Sequence, residues 1–137
     1  MPAAPDAHDV DLLLRLLELI LSEPVAKARN FFRTIPDGLT FPEILAKYPR
    51  GTDEFRYFDT MMTFWETVGS LLKHGLLNEE LAFDTFLDGA PWPKVEAAAV
   101  ALRKDRGPLE LENFEYAYRR AQEWIAAKES ASTSTGP

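Results

Sequence analysis

The sequence has no cysteine. That removes disulfides, thiolate metal ligands and cysteine nucleophiles together, and it suits a reducing cytoplasm, where the chain is expected to reside. Histidine is nearly as scarce: His8 and His74 are the two, far apart in the chain. Neither His-x-x-x-His nor Glu-x-x-His on paired helices occurs, so no metal and no cofactor are expected. With only seven glycines there is no phosphate loop and no dinucleotide fingerprint. The serines, at 22, 70, 130, 132 and 134, include none in a Gly-x-Ser-x-Gly elbow. No catalytic constellation emerges, and the chain reads as a non-enzyme. Positive charge is also short, 15 Lys and Arg against 22 Asp and Glu for a net charge of -7, so the overall field repels a polyanion. Long apolar runs are missing too. The greasiest segment, "VDLLLRLLELIL" (Val10 to Leu21), is interrupted by Arg15 and Glu18. It is shorter than the roughly 20 apolar residues a membrane span needs. Acids rather than Lys or Arg precede it, unlike the positive start of a signal peptide. No membrane association is expected.

What is present is aromatic and helical. A length of 137 residues favours one domain, and three Trp, four Tyr and nine Phe supply a large share of its core. Residues 1–8 read as a flexible arm, 9–128 as a single helical domain and 129–137 as a disordered tail. In the first helix Asp11, Arg15, Glu18 and Ser22 form one narrow polar stripe, with Asp11 and Arg15 one turn apart and able to pair. Pro24 ends it, and a second helix over residues 23–34 buries Val25, Ala28, Phe32 and Phe31. "TFPE" (Thr40 to Glu43) is a capping box opening a short helix. The longest helix, over 53–74, is apolar on two faces, with Asp59, Thr63, Glu66, Ser70 and Lys73 as its polar stripe, and so belongs in the middle of a bundle. Gly75 stops it. Asn78 caps an acidic helix to Leu87. An Ala-rich helix headed by Pro93, with Trp92, Val95, Ala99 and Leu102 as its stripe, runs to Arg106. A last helix over 110–128 pairs Glu115 with Arg119. No segment alternates at period two. The expected class is all-α, a compact irregular bundle of six or seven helices around a central long helix.

Three groups of residues are candidates for function. Glu66, beside Trp65 in the most aromatic part of the chain, would be a polar anchor or proton donor if buried; its place in the polar stripe favours a solvated carboxylate. A pocket near Trp65 and Glu66 would make the chain a small-ligand binder. Lys27, Arg29, Arg33 and Arg50 form a locally basic segment, and the short helix, turn and long helix between Thr40 and His74 have the outline of a helix-turn-helix reader. The long helix is acidic and apolar on both faces, which does not suit a major groove, so nucleic acid is not the expected partner. Loss of a gel shift when Arg29, Arg33 and Arg50 become Glu would argue for it. Glu79, Glu80, Asp84 and Asp88 read as an acidic surface without a cation.

The third group lies on the first helix, which is too apolar to be amphipathic in the ordinary sense. Leu12, Leu16, Leu19 and Ile20 are its expected outer face, and a contiguous apolar face of that kind marks an interaction site. The expected function is therefore a protein-interaction or regulatory domain, a homodimer with room for an unidentified protein partner.

"FWETVGSLLKHGLLNEELAFDTF", "PWPKVEAAAVALR" and "NFEYAYRRAQEW" together resemble an uncharacterised bacterial group, the domain of unknown function 4760 family. The resemblance spans about Phe41 to Trp124 and rests on Trp65, Glu66, Gly69, Gly75, Trp92, Arg103, Phe114 and Glu115. It implies an all-helical domain and brings no known activity, cofactor or site.

Overall fold

The computed structural model describes residues 4–86 and 90–134. Within them lie seven α-helices and one short 3-10 turn: α1 (Ala7–Leu21), α2 (Glu23–Phe32), α3 (Phe41–Lys47), α4 (Asp53–Lys73), α5 (Glu79–Thr85), the turn Trp92–Lys94, α6 (Glu96–Arg106) and α7 (Glu112–Ser134). No strand occurs among the described residues, and the all-α class holds. Leu87 and Asp88, read as a helix end and a surface acid, lie outside the described residues, as do 1–3 and 135–137.

Side-chain caps decide where the helices begin. Asp6 and Asp9 cap each other's backbone: the Asp9 N–H donates to Asp6 Oδ1 and the Asp6 N–H to Asp9 Oδ2, both at 2.9 Å. This capping box starts α1 at Ala7, inside the segment read as an arm. Thr40, Thr52 and Asn78 accept from the backbone N–H groups of Glu43, Phe55 and Leu81 and open α3, α4 and α5. Ser22 does not cap α2; its hydroxyl instead donates to the Leu19 carbonyl at 2.5 Å. α7 continues past Lys128 to Ser134.

Gly75 ends α4. Its φ of 71° is the left-handed conformation that glycine adopts freely. The Gly75 N–H reaches the Leu72 carbonyl at 3.1 Å and the Leu76 N–H reaches Leu71 at 2.9 Å, a Schellman closure. The chain reverses there and drives Leu77 into the core.

α4 occupies the middle, with α2 packed along one side and α7 along another. It buries Phe58, Met61, Met62, Phe64, Val68, Gly69 and Leu72, the two apolar faces that place a helix between partners. α3 rests on α6 and α5 on α7. One continuous cluster of buried apolar side chains runs from Leu16 to Ala121. α1 stands at the margin, resting on α2. No helix of the described residues is long and apolar enough to cross a membrane.

Candidate functional site

Glu66 is not the solvated carboxylate its stripe suggests. Its Oε1 accepts the backbone N–H groups of Asn113 at 3.1 Å and Phe114 at 3.0 Å. These are donors of the first turn of α7, which has no partner within its own helix. The residue before α7, Leu111, has an apolar side chain and φ 60°, so α7 takes its cap from α4. Gly69, one turn along from Glu66, makes the approach possible: a Cβ there would lie 1.8 Å from the Asn113 carbonyl oxygen.

The same corner gathers the other residues behind the family resemblance. The Phe114 ring lies 6.2 Å from that of Trp65 and meets Trp92 edge-on at 5.3 Å. Arg103 stacks over Trp92 at 5.6 Å, donates Nε to the Glu110 carbonyl and Nη2 to Glu115, both at 2.9 Å. Glu115 therefore pairs with Arg103 and not with Arg119, and Arg103 does more than complement the end of α6. These residues build the socket for the head of α7. Gly75 serves the turn after α4 instead.

The acidic helix also has cations. Arg120 binds Glu79 through Nη2 at 2.8 Å and Nε at 3.2 Å, and contacts Glu123. Glu80 accepts from Lys128 Nζ at 2.7 Å and from Trp124 Nε1 at 2.6 Å. Lys128, then Trp124, hold the Glu80 carboxyl below its ordinary range. The open groove between α5 and α7 is thus lined by groups that satisfy one another. The pairing was illegible because α7 supplies the cations from far along the chain.

On α1 the expected outer face splits. Leu16 and Ile20 are buried, so they belong to the core and not to an interface; Leu12 is half-buried and Leu19 exposed. The exposed apolar stripe is Val10 (44%), Leu14 (51%) and Leu21 (72%), with half-buried Leu17 between them. Leu13, Leu16 and Ile20 form the buried face, about a quarter-turn away. Asp11 and Arg15, one turn apart and able to pair, form no ion pair among the described residues.

The four basic candidates have different surroundings. Lys27 pairs with Glu23 at 2.9 Å. Arg50 lies over the rings of Phe41 and Phe55, at 5.7 and 5.4 Å. Arg33 is exposed. Arg29 is half-buried and turns inward.

Arg29 reaches a cavity of about 170 Å³ between α1, α2, α4 and the segment around the 3-10 turn. Ile20, Val25, Phe32, Met61 and Phe64 give it apolar walls, and Phe86 and Pro91 bound another side. Trp65 lines it as well, its ring edge-on to Phe64 at 5.4 Å. Two buried N–H donors of this lining, Arg29 Nε and Trp65 Nε1, have no partner among the described residues. Arg29 also forms no ion pair there. Lys94, at the same cavity, is committed: its Nζ donates to the Ile35 carbonyl at 2.6 Å and lies 3.5 Å from Asp37. So the structure brings Trp65 together with Arg29 and Arg33 at one cavity, while Glu66, on the neighbouring position of α4, serves α7.

Charge alone groups Arg29 with the basic patch of Lys27, Arg33 and Arg50. One signal pointed inward: Arg29 lies four residues after Val25 and three before Phe32, both buried, so it shares the core-facing side of α2. Among curated proteins and among solved structures nothing matches the chain. Residues 7–128 match the model of a family described as Domain of unknown function (DUF4760), and the chain belongs to that family.

Proposed function

We propose that the chain is a non-enzymatic regulatory domain that binds a small molecule in the cavity between α1, α2 and α4. The observation that carries this reading is the pair of buried, unpartnered donors, Arg29 Nε and Trp65 Nε1, on the lining of one largely apolar space. Buried polar atoms are nearly always hydrogen-bonded, and leaving one unmatched costs about 1–3 kcal/mol. An apolar pocket with a few fixed polar groups is the usual form of a small-molecule site. A thermal-shift screen of metabolites tests the proposal, because a ligand that binds only the native state raises the melting temperature. The expected result is a set of compounds whose shift is lost in Arg29→Gln. A screen in which no compound raises the melting temperature counts against it.

Self-association through α1 is a second reading, favoured by the exposed stripe Val10, Leu14 and Leu21. Its spacing of four and seven residues, with Leu17 between, is that of a helix–helix seam. α1 also lends Ile20 to the cavity, so the two readings meet on one helix. Light scattering across a concentration series tests it: a mass near twice 15.5 kDa is expected, and a monomer at every concentration refutes it.

A further inference from the structure

We infer that the guest of this cavity is a small monocarboxylate with an apolar body of about six carbons, an inference that rests on the ligand-binding reading above. The unpartnered atoms set the polar half of the ligand. Both are donors, and neither an indole N–H nor a guanidinium can accept, so the guest must present acceptor oxygens. Arg29 brings a half-buried positive charge with no carboxylate against it among the described residues. A buried charge without a counterion is costly, and a carboxylate is the group that a guanidinium matches most closely.

The count of charges separates a monoanion from a phosphate. Arg33 and Lys94 line the cavity too; Arg33 is exposed and already engaged, and Lys94 serves Asp37 and the Ile35 carbonyl, which leaves Arg29 as the half-buried cation whose charge the guest answers. A dianion would carry a second, uncompensated charge into a space walled by Val25, Phe32, Met61 and Phe64. The size sets the other half. A volume of about 170 Å³ is close to the roughly 150 Å³ apolar cavity known to hold benzene. A six-carbon ring or a short aliphatic chain fills it, with the carboxylate at Arg29 and Trp65.

The test compares acids with alcohols of the same shape on the full chain. Benzoate, hexanoate, benzyl alcohol, 1-hexanol and inorganic phosphate are titrated while the melting temperature and the three tryptophan indole N–H resonances are followed; Trp65→Phe assigns the relevant one. Benzoate or hexanoate is expected to bind at least about tenfold more tightly than the matching alcohol, since a hydrogen bond to a charged group is worth that much or more. The Trp65 indole resonance should move with the acids. In Arg29→Gln the acid and the alcohol should converge. The wild-type comparison decides the matter even if that variant folds poorly. Equal binding of acid and alcohol overturns the carboxylate inference and leaves the ligand-binding reading standing. A response to phosphate alone overturns it as well, in favour of a bare anion site. No response to any probe, with the Trp65 resonance unmoved, overturns the carboxylate inference, and the metabolite screen then decides the ligand-binding reading.

Discussion

A carboxylate oxygen that accepts two backbone N–H groups replaces a cap that α7 cannot make for itself, because Leu111 precedes it. Removing that acceptor leaves both donors unmatched at a half-buried site. Glu66→Ala should therefore cost about 1–3 kcal/mol in urea unfolding, and Glu66→Gln, which keeps an acceptor oxygen, under about 1 kcal/mol. Gly69→Ala is harsher. Its Cβ would fall 1.8 Å from a backbone oxygen, which cannot swing aside, so α7 must move; a loss of at least about 2–3 kcal/mol is expected. Neither role could be read from the α4 pattern alone. Glu66 falls in register with Asp59, Thr63, Ser70 and Lys73, and a helical wheel reports which residues share a face, not which helix end lands on it. The legible clue was at the other end: "GPLELEN" (Gly107 to Asn113) offers α7 no Ser, Thr or Asp at the position before it.

At the scale of the helix, α1 answers differently at neighbouring positions. Leu16→Glu puts a carboxylate into the core and should unfold the protein. Leu14→Glu lies on the exposed stripe; it should leave the far-ultraviolet circular dichroism intact and convert a dimer to a monomer. The apolar excess of α1 was plain in the sequence. Which side of it faced inward was not, because leucine occupies nearly the whole circumference and only α2 selects the buried third.

The α5–α7 contact is an acid-sensitive element, as is the Glu23–Lys27 pair of α2, where Lys27 holds the Glu23 carboxyl below its ordinary range. The Glu80 carboxyl is lowered by Lys128 and then by Trp124, and the Asp6 carboxyl by the Asp9 backbone N–H. A depressed folded value means that the unfolded chain binds more protons on acidification. The stability these groups add is complete above the ordinary carboxylate range, near about 4, and is lost as pH falls through their folded values. Trp124 fluorescence should therefore change in acid before the near-ultraviolet circular dichroism of the core. A single coincident transition would count against a separate α5–α7 step.

For the molecule as a whole, class and punctuation were readable from local chemistry: absence of period-two alternation, Thr40 and Asn78 as caps, Gly75 as a stop. The central place of the long helix followed from its two apolar faces. The cavity was half readable. Trp65 stands out among the aromatics, but the charge of Arg29 points to the surface, and only the packing of α1 on α2 and of α2 on α4 closes a space around both. Long-range polar choices, Glu115 for Arg103 and Glu79 for Arg120, depend on which elements meet and so lay beyond any window along the chain.

The borrowed cap has a kinetic consequence. The acceptor for the first turn of α7 lies 47 residues earlier than Asn113, so that turn gains its partner only after a long loop has closed, and the entropy of closure is met before the contact rewards it. α7 should accordingly dock late, onto an α2–α4 pair already formed. Glu66→Ala would then speed unfolding and leave the refolding rate nearly unchanged, the behaviour of a contact absent from the transition state. Stopped-flow chevrons of that one variant show whether the C-terminal helix is the last piece to arrive and the first to leave.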